Sequence, residues 1–328
     1  MKGVVYTKYG SPKVLQLQEV EKPVPRDDEI LIKVHAASIN SWDWDMLTGK
    51  PFEYRLMSGV IKPKKTHILG CDIAGRIEKV GRNIQHFHPG DAVFGDLCEG
   101  HWGGFAEYVL ARENELTLKP VDMTFVEAAA IPQAGILALQ GLCDKKTIGP
   151  GDRILINGAG GGVGTIAIQL AKSFGADVTG VDSTGKLDTI KSLGADHVID
   201  YTQEDFTRTE NSYDLILDVK TDRSIFDYKR ALSTDGIYVT VGGKSARIFQ
   251  LILFGSLNSM IGSKKLALVM HKPNKDMHVL NELFESGQVK PFIDRCYPLS
   301  RTAEAFQYYG EGNCKGKIVV TVHHHNRS

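Results

Sequence analysis

The sequence predicts an α/β protein in two parts, a β-rich domain over residues 1–120 and a doubly wound parallel sheet over 121–272, with residues 273–328 returning to the first part. Three observations predict it. Before Pro120, short apolar runs are broken by prolines and glycines; after it, strand-like and helix-like runs alternate at a spacing suited to right-handed crossovers. At the junction of the second kind, Ile154–Gly164, an apolar strand runs straight into a glycine-dense turn and then a helix.

In chain order, Ile30–Ala36 alternates, Asp72–Val80 and Asp91–Gly95 are apolar and glycine-rich, and Phe105–Leu110 closes the set. Pro23, Pro25, Pro63 and Pro89-Gly90 mark the turns. This part is not a parallel sheet. Beyond Pro120 the expected strands are Arg153–Asn157, Val178–Val181, His197–Ile199, Leu215–Asp218, Gly236–Val241 and Leu266–Met270. The tail adds a helix over Thr302–Tyr309 and a strand over Lys317–Val322, which read as a return to the β-rich part.

The helix after the glycine turn shows in Val163, Ile166, Ala167, Leu170, Ala171 and Phe174, apolar at three- and four-residue spacing up to Gly175. Its first-turn amides lack intrahelical partners, so Gly161, Gly162 and Val163 present N–H groups that a pyrophosphate can approach. Anchored on Gly164, the fingerprint is Ala159-x-Gly161-x-x-Gly164, with alanine in the first place. A tight turn without a ligand is the plain alternative. Dinucleotide binding is favoured by Asp182, which ends the next apolar strand 21 residues after Gly161, where an acid meets the adenosine ribose.

Composition narrows the partners. The chain has 328 residues, 42 % apolar and 24 % charged, and its 39 Lys plus Arg balance 39 Asp plus Glu. No net field draws in nucleic acid or an anionic membrane, so a small molecule is the expected partner. The N-terminus carries no secretory apolar run, and the stretch Phe249–Leu257 is too short to span a bilayer; a cytoplasmic protein is expected. Five scattered cysteines without a C-x-x-C pair suggest neither a disulfide framework nor a zinc knuckle. His323-His324-His325 reads as a frayed tail or an added tag.

The whole chain resembles the medium-chain dehydrogenase/reductase superfamily, most closely its zinc-free, zeta-crystallin-like NADPH:quinone oxidoreductase branch. The resemblance is carried by GCDIAGRIEKVG (70–81), PGDAVFG (89–95), GFAEYV (104–109), AAAIP (128–132), the turn at 158–164 and LGADHVIDY (193–201). It implies a GroES-like catalytic domain, a Rossmann domain and a homodimer. Zinc-dependent members carry Cys, His-Glu and Cys at the catalytic metal; Asn40, Cys71-Asp72 and Gln133 align there. Zinc needs about three protein ligands, and only Cys71 and Asp72 qualify, so no metal is expected and Cys71 reads as a small buried residue. Cys98 and His101 alone stand near the expected structural-zinc lobe.

Taken alone, Asp182 predicts NADH, because it would repel a 2′-phosphate. The resemblance places Ser183, Lys186 and Tyr201 at that phosphate and implies NADPH, with use of NADH left open. It also places Val241 and Gly242 beside the nicotinamide half. Val219-Lys220-Thr221 departs from the glycine-containing turn of relatives.

Without zinc, the acceptors that fit are quinones and α,β-unsaturated carbonyls, which take a hydride on carbon and spread charge to oxygen. Asn40 is the polar catalytic candidate, or else a loop cap; Asp43 relays a proton or caps a helix. Trp42, Trp44, Phe52 and Tyr54 form an apolar wall for a flat acceptor or ordinary packing, and Gln133 joins them in the substrate pocket. A zinc-type alcohol dehydrogenase and a non-catalytic NADPH-binding redox sensor are the rival readings.

Overall fold

The computed structural model describes residues 1–63, 68–209, 212–243, 246–253 and 263–324. The chain opens with an antiparallel hairpin, β1 (Lys2–Val5) and β2 (Gln16–Glu19). β3 (Ile30–Ser38) follows, apolar along most of its length and buried to match, then helix α1 (Ser41–Thr48). β4 (Asp72–Val80), β5 (Ala92–Asp96), β6 (Tyr108–Ala111) and β7 (Thr117–Leu118) complete the early strands. β3 to β7 join one largely antiparallel sheet whose order continues to two strands from the C-terminus, β14 (Ile293–Pro298) and β15 (Lys317–Thr321); β15 lies against β3.

The chain divides into two compact units. The first holds Met1–Gln133, Pro273–Glu285 and Ile293–Ser328, the second Ala134–Lys272 and Ser286–Phe292. Residues 121–133, grouped by sequence rhythm with the parallel sheet, therefore lie with the first unit. The reason is local: α3 (Phe125–Ala129), capped by Thr124, packs on β3 and β4, and Phe125 stacks on the His35 ring. Residues 286–292 likewise fall in the second unit instead of the returning tail.

The second unit is a six-stranded parallel sheet of β8 (Arg153–Asn157), β9 (Asp177–Asp182), β10 (His197–Asp200), β11 (Tyr213–Asp218), β12 (Leu232–Thr240) and β13 (Lys265–Leu268). Their order is β10-β9-β8-β11-β12-β13, every pair parallel, which is the doubly wound Rossmann order. All six expected strands form. The central ones are continuous apolar runs, Ile154–Ile156 and Leu215–Leu217, because both faces are covered. Helix α5 (Gly162–Ser173) buries Ile166, Ala167, Leu170 and Ala171 on the stripe that the spacing indicates.

Among the described residues no helix is long and apolar enough to cross a membrane; residues 254–257 of the apolar stretch lie outside them. The tail is not frayed at His324, whose Nε2 sits 2.7 Å from the Val34 carbonyl with its ring edge-on to His35; His325 is outside the described residues.

Candidate active site

Winding reverses between β8 and β11, and open α/β sheets bind ligands outside the carboxyl ends of the strands at such a point. The glycine turn sits there. Gly158 has φ +87°, a left-handed conformation, and turns the chain sharply off β8. At Gly164 a Cβ would meet the Ala159 Cα at 2.5 Å, so the helix can start this close to the strand only with glycine. Ala159 fills the first glycine place because its amide bonds back to Val181 and its methyl is buried. Gly161 is the N-cap of α5, and the amides of Gly162 and Val163 open the helix. These residues fit a dinucleotide's pyrophosphate.

Asp182 is buried, and both carboxylate oxygens have protein donors. Oδ2 accepts the Gly160 amide at 2.9 Å and Oδ1 the Ser183 amide at 2.9 Å. Lys186 is buried beside it, with Nζ 3.9 Å from Oδ1 and its stem across Gly160. The Tyr201 amide bonds the Asp182 carbonyl at 3.2 Å and the ring is exposed. All four cofactor candidates thus gather at the end of β9. Asp182 shapes the turn, a role the sequence spacing did not disclose.

On the other side of the switch point, Asp218 ends β11. Its Oδ1 accepts Asn157 Nδ2 at 2.9 Å and the Lys220 and Thr221 amides at 3.1 and 2.9 Å; Oδ2 accepts the Tyr238 hydroxyl at 2.7 Å. Burial pushes its carboxyl above the usual range against these bonds. Asp218 thereby closes the turn that departs from relatives. Thr221 stands there at φ +52°, its hydroxyl bonded to Thr240 and to the Gly242 carbonyl. Val241 follows with its amide on the Asp218 carbonyl at 3.2 Å.

The first unit carries the other candidates. Register places Val319, Ser38, Asp72 and Asp96 in one line across β15, β3, β4 and β5, so residues next to them in sequence converge. Asn40 Nδ2 lies 3.5 Å and Gln133 Nε2 3.7 Å from Cys71 Sγ, and the Gln133 amide donates to Asp72 Oδ1 at 3.1 Å. The three positions aligned with zinc ligands therefore do meet. Lys317, which the sequence reading missed, enters the same cluster. Its buried Nζ donates to Asn40 Oδ1 at 2.5 Å and to Asp72 Oδ2 at 3.3 Å.

Cys71, Asp72 and Asp96 bring one ligand atom each within 4.8 Å of one another, which raises the question of a metal. The donor chemistry does not fit one. Asp72 is already paired with an ammonium, and Asp96 Oδ1 accepts the Cys98 amide at 2.9 Å. A dication would sit beside Lys317. His101 is also engaged elsewhere, between Glu115 at 2.9 Å and Glu29 at 3.5 Å.

Asp43 takes the capping role. Its oxygens accept the Asn40 and Gly70 amides, both at 2.8 Å, so it braces the Asn40 turn, and burial pushes its carboxyl up to about 7. The aromatics do not form one wall. Trp44 packs on Gly310 and Tyr309 and lines a cleft of about 810 Å³ with Tyr9, Asp45 and Arg55; Tyr54 bonds Asp45, Trp42 is half-buried, and Phe52 is exposed. Alternate positions of a helix face opposite ways, which separates Trp42 from Trp44.

The parallel sheet, its glycine turn and the acid at β9 define a dinucleotide-binding protein of the Rossmann class. Residues 26–121 match the alcohol dehydrogenase GroES-like domain and 193–320 the zinc-binding dehydrogenase family. The chain is 36 % identical to 2-methylene-furan-3-one reductase of Solanum lycopersicum and 33 % to the chloroplastic NADPH-dependent alkenal/one oxidoreductase of Arabidopsis thaliana, in each case over 98 % of this chain and 79 % of the relative. The solved quinone oxidoreductase of Coxiella burnetii is 30 % identical, with a TM-score of 0.88 over 98 % of this chain and 99 % of that one. The chain belongs to the medium-chain dehydrogenase/reductase superfamily, in its quinone oxidoreductase branch, and is an NAD(P)H-dependent reductase.

Proposed function

We propose that this chain is a zinc-independent reductase that uses NADPH to reduce quinones or α,β-unsaturated carbonyls. One observation carries the reading: at the family's metal position stands a buried Lys317–Asn40–Asp72 cluster whose cation is an ammonium. The names of the relatives support the acceptor class, and one of them supports NADPH.

The turn from Gly158 to Gly164 would hold the pyrophosphate, and Ser183, Lys186 and Tyr201 the 2′-phosphate. Asp182 does not oppose that phosphate strongly, because Lys186 and two amides offset its charge. When bound, the cofactor supplies a hydride. The protein's own part is to orient the acceptor and stabilise its oxygen, and Asn40 Nδ2 is the donor proposed for that oxygen. To the same reading belong a homodimer, which the resemblance implies, and the cytoplasmic location expected from the sequence, which sedimentation and fractionation would check.

The test follows NADPH oxidation spectroscopically with quinones, enones and simple aldehydes, together with metal analysis of untagged protein. Turnover of the first two classes without zinc is expected. Tight NADPH binding with no turnover would overturn the enzyme reading, and stoichiometric zinc would overturn the zinc-independent one.

A further inference from the structure

We propose that Lys317 is a positioning residue for the reduction: its buried ammonium fixes the Asn40 amide and lends that amide positive charge, in place of the metal of zinc-dependent relatives. The inference rests on the function proposed above, and extends it to a residue that the family alignment of metal ligands does not touch.

Lysine Nζ carries donors only, so the end of the Asn40 amide that meets it at 2.5 Å must be oxygen. Nδ2 is thereby turned the other way; it donates to Cys71 Sγ at 3.5 Å and has the Asp72 carboxylate within reach, and as an NH2 group it has two hydrogens to give. The orientation of the amide is set by chemistry instead of by a choice between equivalent flips. Asp72 holds the ammonium in place at 3.3 Å, and is itself held by the Ser38 hydroxyl at 3.2 Å and the Gln133 amide at 3.1 Å. From the backbone side, Asp43 fixes the Asn40 amide nitrogen at 2.8 Å. Both ends of Asn40 are therefore locked before any acceptor arrives.

In a buried setting, a cation on the carbonyl oxygen of an amide withdraws electron density and makes its N–H a stronger donor. When hydride adds to the β-carbon of an enone, the C=C pair moves to the α-carbon and the carbonyl, and negative charge collects on oxygen. A proton from solvent then adds at the α-carbon. The polarised Nδ2–H bonds that oxygen more strongly once it is charged, so its larger effect is on the rate of the chemical step and its smaller one on acceptor binding. A ketone enolate is a more basic oxyanion than the hydroquinone anion left by a quinone. Dependence on Lys317 should therefore be larger for enones.

The experiment uses the full chain and the double variant Lys317→Met with Asp72→Asn, which removes the paired charges together and leaves the buried Asp43 and Asp96 on their own backbone amide donors. Thermal midpoint, NADPH titration, kcat and KM are measured with 3-penten-2-one and with 1,4-naphthoquinone. The expected result is a retained fold, unchanged NADPH affinity, and kcat for the enone lower by about tenfold or more, with a smaller loss for the quinone and little change in either KM. Unchanged kcat in a folded double variant, or equal losses on both acceptors, would overturn the inference while leaving the proposed function standing. A wild-type chain that binds NADPH and reduces neither acceptor would remove both. Asn40→Asp is the second variant, which keeps a partner for Lys317 but has no N–H; the enone rate should fall with it as well, and a retained rate would overturn the proposal.

Discussion

Asp182 Oδ2 accepts the backbone N–H of Gly160 at 2.9 Å, tying the end of β9 to the middle of the glycine turn. The acid that sequence spacing assigns to a ribose hydroxyl is thus committed to the protein's own backbone. Asp182→Asn weakens that charge-assisted bond and leaves the Lys186 ammonium, 3.9 Å away, with less compensation. The shape of the turn serves NADPH and NADH alike. Both dissociation constants should rise, that of NADH by about tenfold and that of NADPH by less, because the Lys186 ammonium released from the carboxylate turns to the 2′-phosphate. Fluorescence titration with each nucleotide checks this, and an NADPH affinity that falls as far as that of NADH would show that Lys186 does not reach the 2′-phosphate.

Gly164 offers a steric test of the same turn. A methyl there would meet the Ala159 Cα at 2.5 Å and crowd the carbonyl oxygens of Gly158 and Ala159. All of these are backbone atoms, which cannot rotate away. Gly164→Ala should lower stability by about 1–3 kcal/mol, as overpacking does, and abolish nucleotide binding by moving α5 off the strand. Denaturant unfolding and NADPH titration read the two effects; a variant that binds NADPH normally would mean that the helix start tolerates displacement.

Thr221 tests how the departure at 219–221 is sustained. A β-branched residue at φ +52° carries a local strain of about 1–2 kcal/mol. Against it stand the Asp218 bond to its amide at 2.9 Å and the bonds of its hydroxyl to Thr240 and the Gly242 carbonyl. Thr221→Ala keeps the strain and loses the hydroxyl, so it should destabilise by about 1–2 kcal/mol. Thr221→Gly loses the hydroxyl but relieves the strain and should fall closer to wild type. Chemical denaturation of the pair decides it, and Gly being the worse of the two would show that the strain is small.

What the sequence discloses follows from how local each signal is. The six parallel strands and α5 were legible because apolar runs and helical spacing are properties of neighbouring residues, and the structure reproduces them. The meeting of Asn40, Cys71-Asp72 and Gln133 was legible only through resemblance, since strand register over long separations brings them together. Lys317 escaped because a lysine opening an apolar strand looks like a solvated strand end, and nothing local reveals that Asn40, 277 residues earlier, receives it. The capping contacts of Asp43 join residues far apart in sequence, since its second oxygen takes the Gly70 amide. The GroES-like match ends at residue 121, as the sequence rhythm does, whereas the compact unit runs on to 133 because α3, helical like the segments after it, packs on β3 and β4.

His35 gives the fold a pH dependence of known sign. Its ring stacks on Phe125 with centroids 4.4 Å apart, and burial, then the cations of His324, Arg76 and Lys33, push its pKa down to about 4. In the unfolded chain the imidazole protonates near its ordinary 6.5. The folded-state value is the lower one, so the unfolded state binds the proton first as pH falls. Its contribution is complete above 6.5 and is lost progressively between 6.5 and about 4. His35→Gln removes the titrating group and keeps a polar side chain of similar length. The thermal midpoint of wild type should fall more steeply across that window than that of the variant, while the two run parallel from pH 7 to 8. Parallel curves throughout the acid window would mean that His35 protonates in the folded protein without hindrance.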